Sequence, residues 1–340
     1  MVGHKHGRDE EFSSSSSSSY GKEDDQHQAK KHKSVNNNNN NNNMIEVNNN
    51  EKKNIFSLSQ NNFAEIFSFL SIVSNNLHTI DKYLSQIYGL HLYNNSYIRL
   101  NRNYSIRYYE DEVFRNMIKS RISNPRNQLS LDLRDFDNIT DVSVLGVVHS
   151  LKLCRCNNIT DVSSLGKVTN LNLSGCTNIT DVRDLGKVTN LNLSGCRNIT
   201  NESVSNLGKE GQHTLNLHGC IQVTNVSSLG GVHTLDLGRC RYIKDVSALG
   251  KVTNLNLYSC YGVIDVRDLG RVHNLDLTSC KINDVSALGG VHTLTLTNCG
   301  ITDVSALGGV DTLNLRGCMN ITDESLRALN NVPNLTLPYN

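Results

Sequence analysis

The stretch VTNLNLSGCTNITDVRDLG, residues 168–186, decides the fold because its pattern returns about every 20 residues along most of the chain. Leu171 and Leu173 alternate with polar residues, which predicts a short strand with one buried face. One such strand is too short to fold alone, but copies stacked in register would form a parallel sheet with a shared core. A truncated eleventh copy of the pattern begins at Leu335. The ten full copies have their first leucine at Leu131, Leu151, Leu171, Leu191, Leu215, Leu235, Leu255, Leu275, Leu294 and Leu313.

The residues between successive strands predict a tight return path. Steps of 19 to 24 residues leave room only for turns and short 3₁₀ segments on the outer side. The segments 200–211 and 322–332 are longer and have helical spacing, so each predicts a short α-helix. Gly186 follows a short helical turn and predicts a left-handed exit from it. The predicted fold is an α/β solenoid over residues 126–340, with a parallel sheet on its concave face and turns and 3₁₀ segments on its convex face.

This pattern resembles the leucine-rich repeat, whose core is L-x-x-L-x-L-x-x-N/C-x-L. The C-x-x-I-T-D portion is similar to the cysteine-containing repeats of F-box proteins, and ITDVSxL is similar to the short repeats of bacterial internalins and phosphatase regulators. The resemblance implies a solenoid of 19–24-residue repeats. It also implies a binding scaffold, since this fold serves many unrelated partners.

Residues 1–53 differ sharply from the repeats. They contain a serine run, Ser13 to Ser19, and an asparagine run, Asn36 to Asn43, among scattered charges. Such a segment buries too little apolar surface to offset its ordering entropy, so it predicts a disordered tail. Asparagine runs of this kind resemble those in proteins from AT-rich genomes, such as those of amoebae and of large DNA viruses that infect amoebae.

Residues 54–125 carry apolar side chains at helical spacing, which predicts a small helical domain with a helix over 109–122. Within it, LSQNNFAEIFSFLS (58–71) resembles the start of an F-box at five positions: Leu58, Phe63, Ile66, Phe67 and Leu70. That resemblance implies that these residues bind the Skp-type adaptor of a cullin–RING ubiquitin ligase while the repeats hold a substrate. The alternative is that residues 54–125 only cap the apolar edge of the first repeat.

Nine of the ten cysteines recur at one position of the repeat, and Phe136 takes that position in the first repeat. Inside a turn, cysteine can satisfy backbone groups and otherwise acts as a small buried apolar residue. Zinc would need four converging ligands, whereas a ladder presents its thiols in parallel, so no metal and no cofactor are expected. Only Cys154, at an outward strand position, is expected to be reactive. The predicted structural ladder consists of Cys156, Cys176, Cys196, Cys220, Cys240, Cys260, Cys280, Cys299 and Cys318.

Aspartates also recur once per turn, as at Asp161 and Asp181. A catalytic acid–base pair would be a unique constellation, so these repeated aspartates predict caps of short helical turns. No unique nucleophile, base or phosphate loop stands outside the repeats. The sequence therefore predicts a protein that is not an enzyme.

Positions that vary between repeats are free of the packing constraint, so binding specificity is expected there. The net charge is +1 and the inner face carries no basic stripe, which argues against nucleic acid and favours a protein partner. Tyr258 with His218 and Arg239 is the predicted centre of binding; the alternative is that these are merely solvated side chains. The full candidate set on the concave face is Lys152, Asn172, Asn192, His218, Asp236, Arg239, Tyr258, Asp276 and Arg316.

Four histidines precede the strands in two pairs, His213 with His233 and His273 with His292. Each pair should lie one strand apart, which would allow a shared metal or coupled protonation; the alternative is a plain surface row.

The N-terminal residues MVGHKHGRDEEF lack the apolar core of a signal peptide, and the apolar run at 63–73 is too short to span a bilayer. We therefore expect no membrane association and a cytoplasmic location, which would be the host cytoplasm for a viral protein. Two functions stay open: a substrate adaptor for ubiquitin ligation, and a stand-alone binding or regulatory protein.

Overall fold

The computed structural model describes residues 90–93, 97–121, 129–208 and 212–339. The predicted disordered tail at 1–53 and the F-box-like segment at 58–71 lie outside the described residues.

The described strands form one 13-stranded sheet in which each strand pairs with the next one along the chain. The first two strands pair antiparallel, and every later neighbour is parallel. The predicted parallel sheet of a solenoid is thereby confirmed. The strands are β1 Leu90–Tyr93, β2 Tyr97–Leu100, β3 Leu129–Asp132, β4 Ser150–Lys152, β5 Asn170–Asn172, β6 Asn190–Asn192, β7 Thr214–Asn216, β8 Thr234–Asp236, β9 Asn254–Asn256, β10 Asn274–Asp276, β11 Thr293–Thr295, β12 Thr312–Asn314 and β13 Asn334–Thr336.

The register of the sheet is that of the repeat. Leu171 pairs with Leu151 on one side and with Leu191 on the other, so the leucines of successive turns stack in a row. Leu171 and Leu173 are buried, while Asn170, Asn172 and Ser174 are half-exposed. The alternation in the sequence therefore gives one buried and one solvent-facing side to each strand.

The return path on the convex face is short in every described repeat. Eight repeats use 3₁₀ helices there: Ser143–Leu145, Ser163–Leu165, Arg183–Lys187, Ser227–Gly231, Ser247–Leu249, Arg267–Leu269, Ser286–Leu288 and Ser305–Gly309. The two longer repeats form short α-helices at Asn201–Val204 and Asp323–Arg327, as their spacing predicts. Between sheet and return path, Val168, Ile179, Val182 and Leu185 are almost fully buried and belong to one continuous core.

The prediction of a left-handed exit at Gly186 is wrong. Gly186 lies inside a 3₁₀ helix, and the equivalent Gly166 has a φ of −61°. The predicted left-handed exit occurs at the equivalent Gly208, which follows the α-helix Asn201–Val204 and has a φ of 80°. The other positive φ angles occur at the residue before each ladder position, where the strand turns the corner: Asp135, Arg155, Gly175, Gly195, Gly219, Arg239, Ser259, Ser279, Asn298 and Gly317. The glycines after the helical turns allow the backbones of successive turns to approach closely. A Cβ on Gly250 would lie 2.2 Å from the Asp268 carbonyl oxygen of the next turn.

Residues 97–121, before the first repeat, form two helices, α1 Arg102–Glu110 and α2 Glu112–Arg121, where a single helix is predicted over 109–122. Asp111 separates them, because its carboxylate accepts the Phe114 N–H at 2.9 Å and caps α2. This bond lowers the pKa of Asp111. The strands β1 and β2 in the same region were not predicted at all.

Residues 97–121 pack directly on the first repeat. The Asp132 N–H donates to the Ser105 hydroxyl at 2.9 Å, and the Tyr109 ring meets Phe136 edge-on at 6.1 Å. Tyr108, Phe114 and other apolar residues of the two helices are buried. These contacts, with the pairing of β2 on β3, cover the edge of the repeat sheet.

We expect Gly250→Ala to lower the free energy of unfolding by about 1–3 kcal/mol, because its Cβ would meet a backbone oxygen that cannot rotate away. Gly300→Ala is the matched control, since a Cβ there meets nothing within 4 Å. That control should be neutral or stabilising by up to about 1 kcal/mol. Urea unfolding followed by circular dichroism measures both; equal losses in the two variants would contradict the close-approach role.

Candidate protein-binding face

The residue between the two leucines of a strand holds the backbone just beyond that strand. The Asn172 Oδ1 accepts the Ser174 N–H at 2.9 Å, and Asn192 accepts the Ser194 N–H at the same distance. Five further strands make the same bond, through Asn216, Asp236, Asn256, Asp276 and Asn314. Asp132 makes a longer one to the Arg134 N–H, at 3.5 Å. These positions are therefore not free of structural constraint, contrary to the expectation. The sequence already indicated this constraint, since eight of the ten residues between the paired leucines are Asn or Asp.

These bonds still leave binding capacity on the concave face. Each uses one side-chain oxygen and leaves the Asn Nδ2 or the second carboxylate oxygen for a partner. Because the Asn or Asp side chain is already held in one conformation, it loses little rotamer entropy when a partner binds it. Lys152, at the same position of β4, makes no such bond and lies next to Asp132, whose pKa is lowered chiefly by its hydrogen bond with Arg134.

The predicted centre of binding is assembled in part. The Arg239 guanidinium lies over the Tyr258 ring, 5.6 Å from its centroid, and its hydrogen bond lowers the pKa of the Tyr258 hydroxyl. His218 instead contacts Asp236, with 3.6 Å between Nδ1 and Oδ1. Arg239 stands at the corner after β8 with a φ of 62°, at the rim of the concave face. Arg316 is exposed in the turn after β12.

A shallow depression of about 360 Å³ lies on the concave face over β8 to β11. Asp236, Asn256 and Asp276 line it, and buried leucines form its floor. Because it is open along the sheet, it cannot surround a small molecule as an enzyme pocket does. The depression suits a side chain projecting from a larger partner.

The nine ladder cysteines are buried, and each thiol donates to a backbone carbonyl of the preceding turn. Cys176 Sγ lies 3.0 Å from the Leu153 oxygen, and Cys196 Sγ lies 3.1 Å from the Leu173 oxygen. The other seven make the equivalent bond at 2.9–3.2 Å. All ten cysteines are free thiols, and Cys154 is half-buried in the turn after β4 rather than on the strand itself.

Burial disfavours the thiolate at every ladder position. It raises the pKa of Cys176, Cys196, Cys240, Cys280 and Cys299 to about 12, and it raises the pKa of Cys156, Cys220, Cys260 and Cys318 as well. A protonated thiol is neither a nucleophile nor a metal ligand. The ladder is accordingly a structural device.

The repeated aspartates cap the 3₁₀ helices. Asp161 accepts the Ser163 N–H at 2.9 Å, and this bond lowers its pKa. Asp181 pairs with the Arg183 guanidinium and also accepts the Arg183 backbone N–H, and these two bonds lower the pKa of Asp181. In the last α-helix the cap is Thr322, because its hydroxyl accepts the Ser325 N–H. These bonds give the aspartates a structural role in each turn.

The rings of each histidine pair lie close together. Those of His273 and His292 are stacked, 4.5 Å apart and inclined by 9°, whereas those of His213 and His233 are 4.6 Å apart and tilted by 33°. Ring nitrogens bind metals in the ring plane, so the parallel rings of His273 and His292 direct them side by side rather than toward one ion. Within the described ranges, no group of three or more His, Cys, Asp or Glu could hold a metal ion. Coupled protonation of each pair stays a prediction.

The part of the chain that the structure describes contains no helix long and apolar enough to cross a membrane.

No protein-family model matches the chain, and no curated protein matches it. Solved structures that it resembles include an internalin from Listeria monocytogenes, 21% identical with a TM-score of 0.44, over 61% of this chain and 73% of that one. A leucine-rich-repeat protein of Leptospira interrogans is 16% identical with a TM-score of 0.40, over 62% and 71%. TLR13, in a complex with ssRNA13, is 25% identical with a TM-score of 0.43, over 61% of this chain and 32% of that one.

The strand register, the 3₁₀ return path and the shared core make this chain a leucine-rich-repeat solenoid by fold. Its function has to be argued from its own side chains, because the same scaffold carries unrelated activities.

We expect the stability of the protein to fall steeply as the pH rises from about 9 to 12. Thiols of the unfolded chain ionise from the ordinary pKa of 9.0 upward, whereas a folded thiol such as Cys176 stays protonated up to about 12. The folded state then holds more protons than the unfolded state, so the free energy of unfolding decreases with pH; below pH 9 this effect is absent.

Cys176→Ser tests that expectation, since serine can donate to the same Leu153 carbonyl but does not ionise. Its unfolding free energy should fall less steeply than that of the wild type, by up to about 1.4 kcal/mol per pH unit. The exposed Thr177→Ser variant should keep the wild-type slope. Urea unfolding at a series of alkaline pH values measures this, and identical slopes for all three proteins would contradict it.

Proposed function

We propose that this protein is an interaction scaffold without catalytic activity, which binds a protein partner on the concave face of β3 to β13. The observation that carries the proposal is the Arg239–Tyr258 contact, which places an exposed guanidinium on an aromatic ring at the rim of a polar face. Arginine and tyrosine are enriched among the few residues that carry most of the binding energy where proteins meet. Neither residue is required by the repeat, since other turns carry different residues at these positions.

The dimensions of the concave face suit a protein or peptide. Eleven neighbouring strands about 4.8 Å apart have ten spacings between them, so they span roughly 48 Å. Each strand presents about three solvent-facing side chains, so the face offers somewhat more than the 20–30 residues per side that a standard interface uses. Much of it carries Asn and Asp held by their own backbone bonds, which lowers the entropic cost of binding.

The finer proposal is that the protein acts as an F-box-type substrate adaptor of a cullin–RING ubiquitin ligase. It rests on the resemblance of residues 58–71 to an F-box, with Leu58, Phe63, Ile66, Phe67 and Leu70 as the adaptor-binding residues. In that role the protein needs no active site, because it raises the effective concentration of a substrate near a ubiquitin-charged enzyme. The alternative proposal is a stand-alone binding or regulatory protein, in which the region before the repeats serves only as a cap.

Photo-crosslinking should locate the partner on the concave face. A benzoylphenylalanine at Thr278, on that face, is expected to give a protein adduct in extracts of the source cells. The same group at the exposed Ala248, on the convex face, is the control and should give none. Tyr258→Ala combined with Arg239→Ala should weaken binding of the identified partner at least about tenfold. Adducts of equal yield from both positions, or an unchanged affinity, would reject the concave face.

The adaptor role predicts that the full chain binds a purified Skp-type adaptor in calorimetry. Phe67→Ala with Leu70→Ala should weaken that binding at least about tenfold, since buried apolar contacts dominate such interfaces. The concave-face pair Tyr258→Ala with Arg239→Ala is the control and should bind the adaptor as the wild type does. If the wild-type protein does not bind the adaptor, the adaptor role is wrong and the stand-alone scaffold is the remaining proposal.

A further inference from the structure

The turn that follows each strand carries small polar residues in the early repeats. There, Asn158, Asn178 and Asn198 each donate their side-chain N–H to a backbone carbonyl of the preceding turn, at 2.6–2.8 Å. These asparagines complete the hydrogen bonding between turns. The repeat therefore already supplies residues that suit both the fold and the solvent at this position.

Three consecutive turns, 221–224, 241–244 and 261–264, depart from that pattern. Their buried residues stay apolar as the repeat requires, but four large apolar side chains stand in solvent: Ile221 is 39% exposed, Tyr242 64%, Tyr261 41% and Ile264 63%. Tyr242 takes the place of the bonding asparagine, and Ile264 takes the place of the threonine at Thr160 or Thr180. Because the scaffold does not need these changes, they call for another explanation.

The same turns carry two cations. The Arg241 guanidinium lies 5.7 Å from the centroid of the Tyr261 ring, and Lys244 occupies the position of Ile264 one turn earlier. Neither cation forms an ion pair within the described part of the chain. The bordering carboxylates are already engaged, since Asp245 caps a 3₁₀ helix through the Ser247 N–H and Asp265 pairs with Arg267. We call Ile221, Arg241, Tyr242, Lys244, Tyr261 and Ile264 the flank patch.

Equivalent residues of neighbouring turns lie about 4.8 Å apart, so the flank patch is compact. An arginine stacked on tyrosine keeps its N–H groups available for a carboxylate, which it can bind with two parallel hydrogen bonds. The isoleucines and Tyr242 would contact apolar side chains beside that carboxylate. A nucleic acid fits less well, because it would bring a run of phosphates past Asp245 and Asp265 and would leave the isoleucines without an apolar partner.

We propose that the flank patch is a second docking surface, which binds an acidic segment of a protein partner in which Asp or Glu stands next to an aromatic or aliphatic residue. This surface lies after the strand ends, on the turns, and it is independent of the concave face and of the adaptor role.

The test selects a random dodecapeptide phage library on the immobilised full-length protein. The wild type should enrich peptides rich in Asp and Glu that also carry an aromatic or aliphatic residue, and their affinity should fall as salt is raised. In fluorescence anisotropy, Arg241→Glu should bind the best peptide at least about tenfold more weakly. Enriched peptides without acidic residues would overturn the proposal.

Tyr242→Asn with Ile264→Thr is the sharper variant, since it restores the residues that other turns carry and should keep the melting temperature. It should also weaken the peptide at least about tenfold. Tyr258→Ala with Arg239→Ala, on the concave face, should leave the peptide affinity unchanged, so this test and that of the concave face succeed or fail separately. Undiminished binding by the restored variant, or tighter binding of a uridine oligonucleotide than of the acidic peptide, would refute the flank patch.

Discussion

Hydrogen bonds between successive turns are the constraint on which the rest of this structure depends. The Leu173 N–H donates to the Asn192 carbonyl at 2.8 Å, and the Gly175 N–H donates to the Ser194 carbonyl at 2.7 Å. In the other direction, the Cys176 thiol donates to the Leu153 carbonyl. No turn completes its own backbone hydrogen bonding, so each is stable only between its neighbours. The backbone path of every turn is fixed as a result.

The fixed backbone path explains recurring residues, such as cysteine and aspartate, that would otherwise suggest a catalytic or metal-binding role. The ladder position tolerates a small buried donor, and cysteine supplies one without an unpaired charge. The glycine after a 3₁₀ turn leaves space for a carbonyl oxygen of the next turn, and a Cβ at that position would clash with this oxygen. The aspartate before the helical turn accepts an N–H that the turn leaves open. Each of these residues recurs because the path recurs.

Function is left to the residues that the path does not fix, and they gather in the middle of the solenoid. Arg239 lies over Tyr258 on the concave side of one corner, and Arg241 lies over Tyr261 on the turn side of the same corner. The two arginines are the sequence neighbours of Cys240, and the Cys240 side chain is buried in the core. A single corner of two adjacent repeats thus carries exposed arginine and tyrosine on both surfaces for which we propose partners.

The sequence by itself determined the period, the strands, the buried leucines, the 3₁₀ return path and the two short α-helices, because each follows from a local pattern repeated many times. The F-box-like residues such as Phe67 and Leu70 stay a prediction. Only the tertiary structure decided why Gly250 must be glycine, where the left-handed residue stands, and that Asn172 holds Ser174. It also decided that β2 extends the repeat sheet and that Ile221, Tyr242 and Tyr261 share one surface. The physical reason is that most of these contacts join residues about 20 positions apart, and stacking alone brings such residues together.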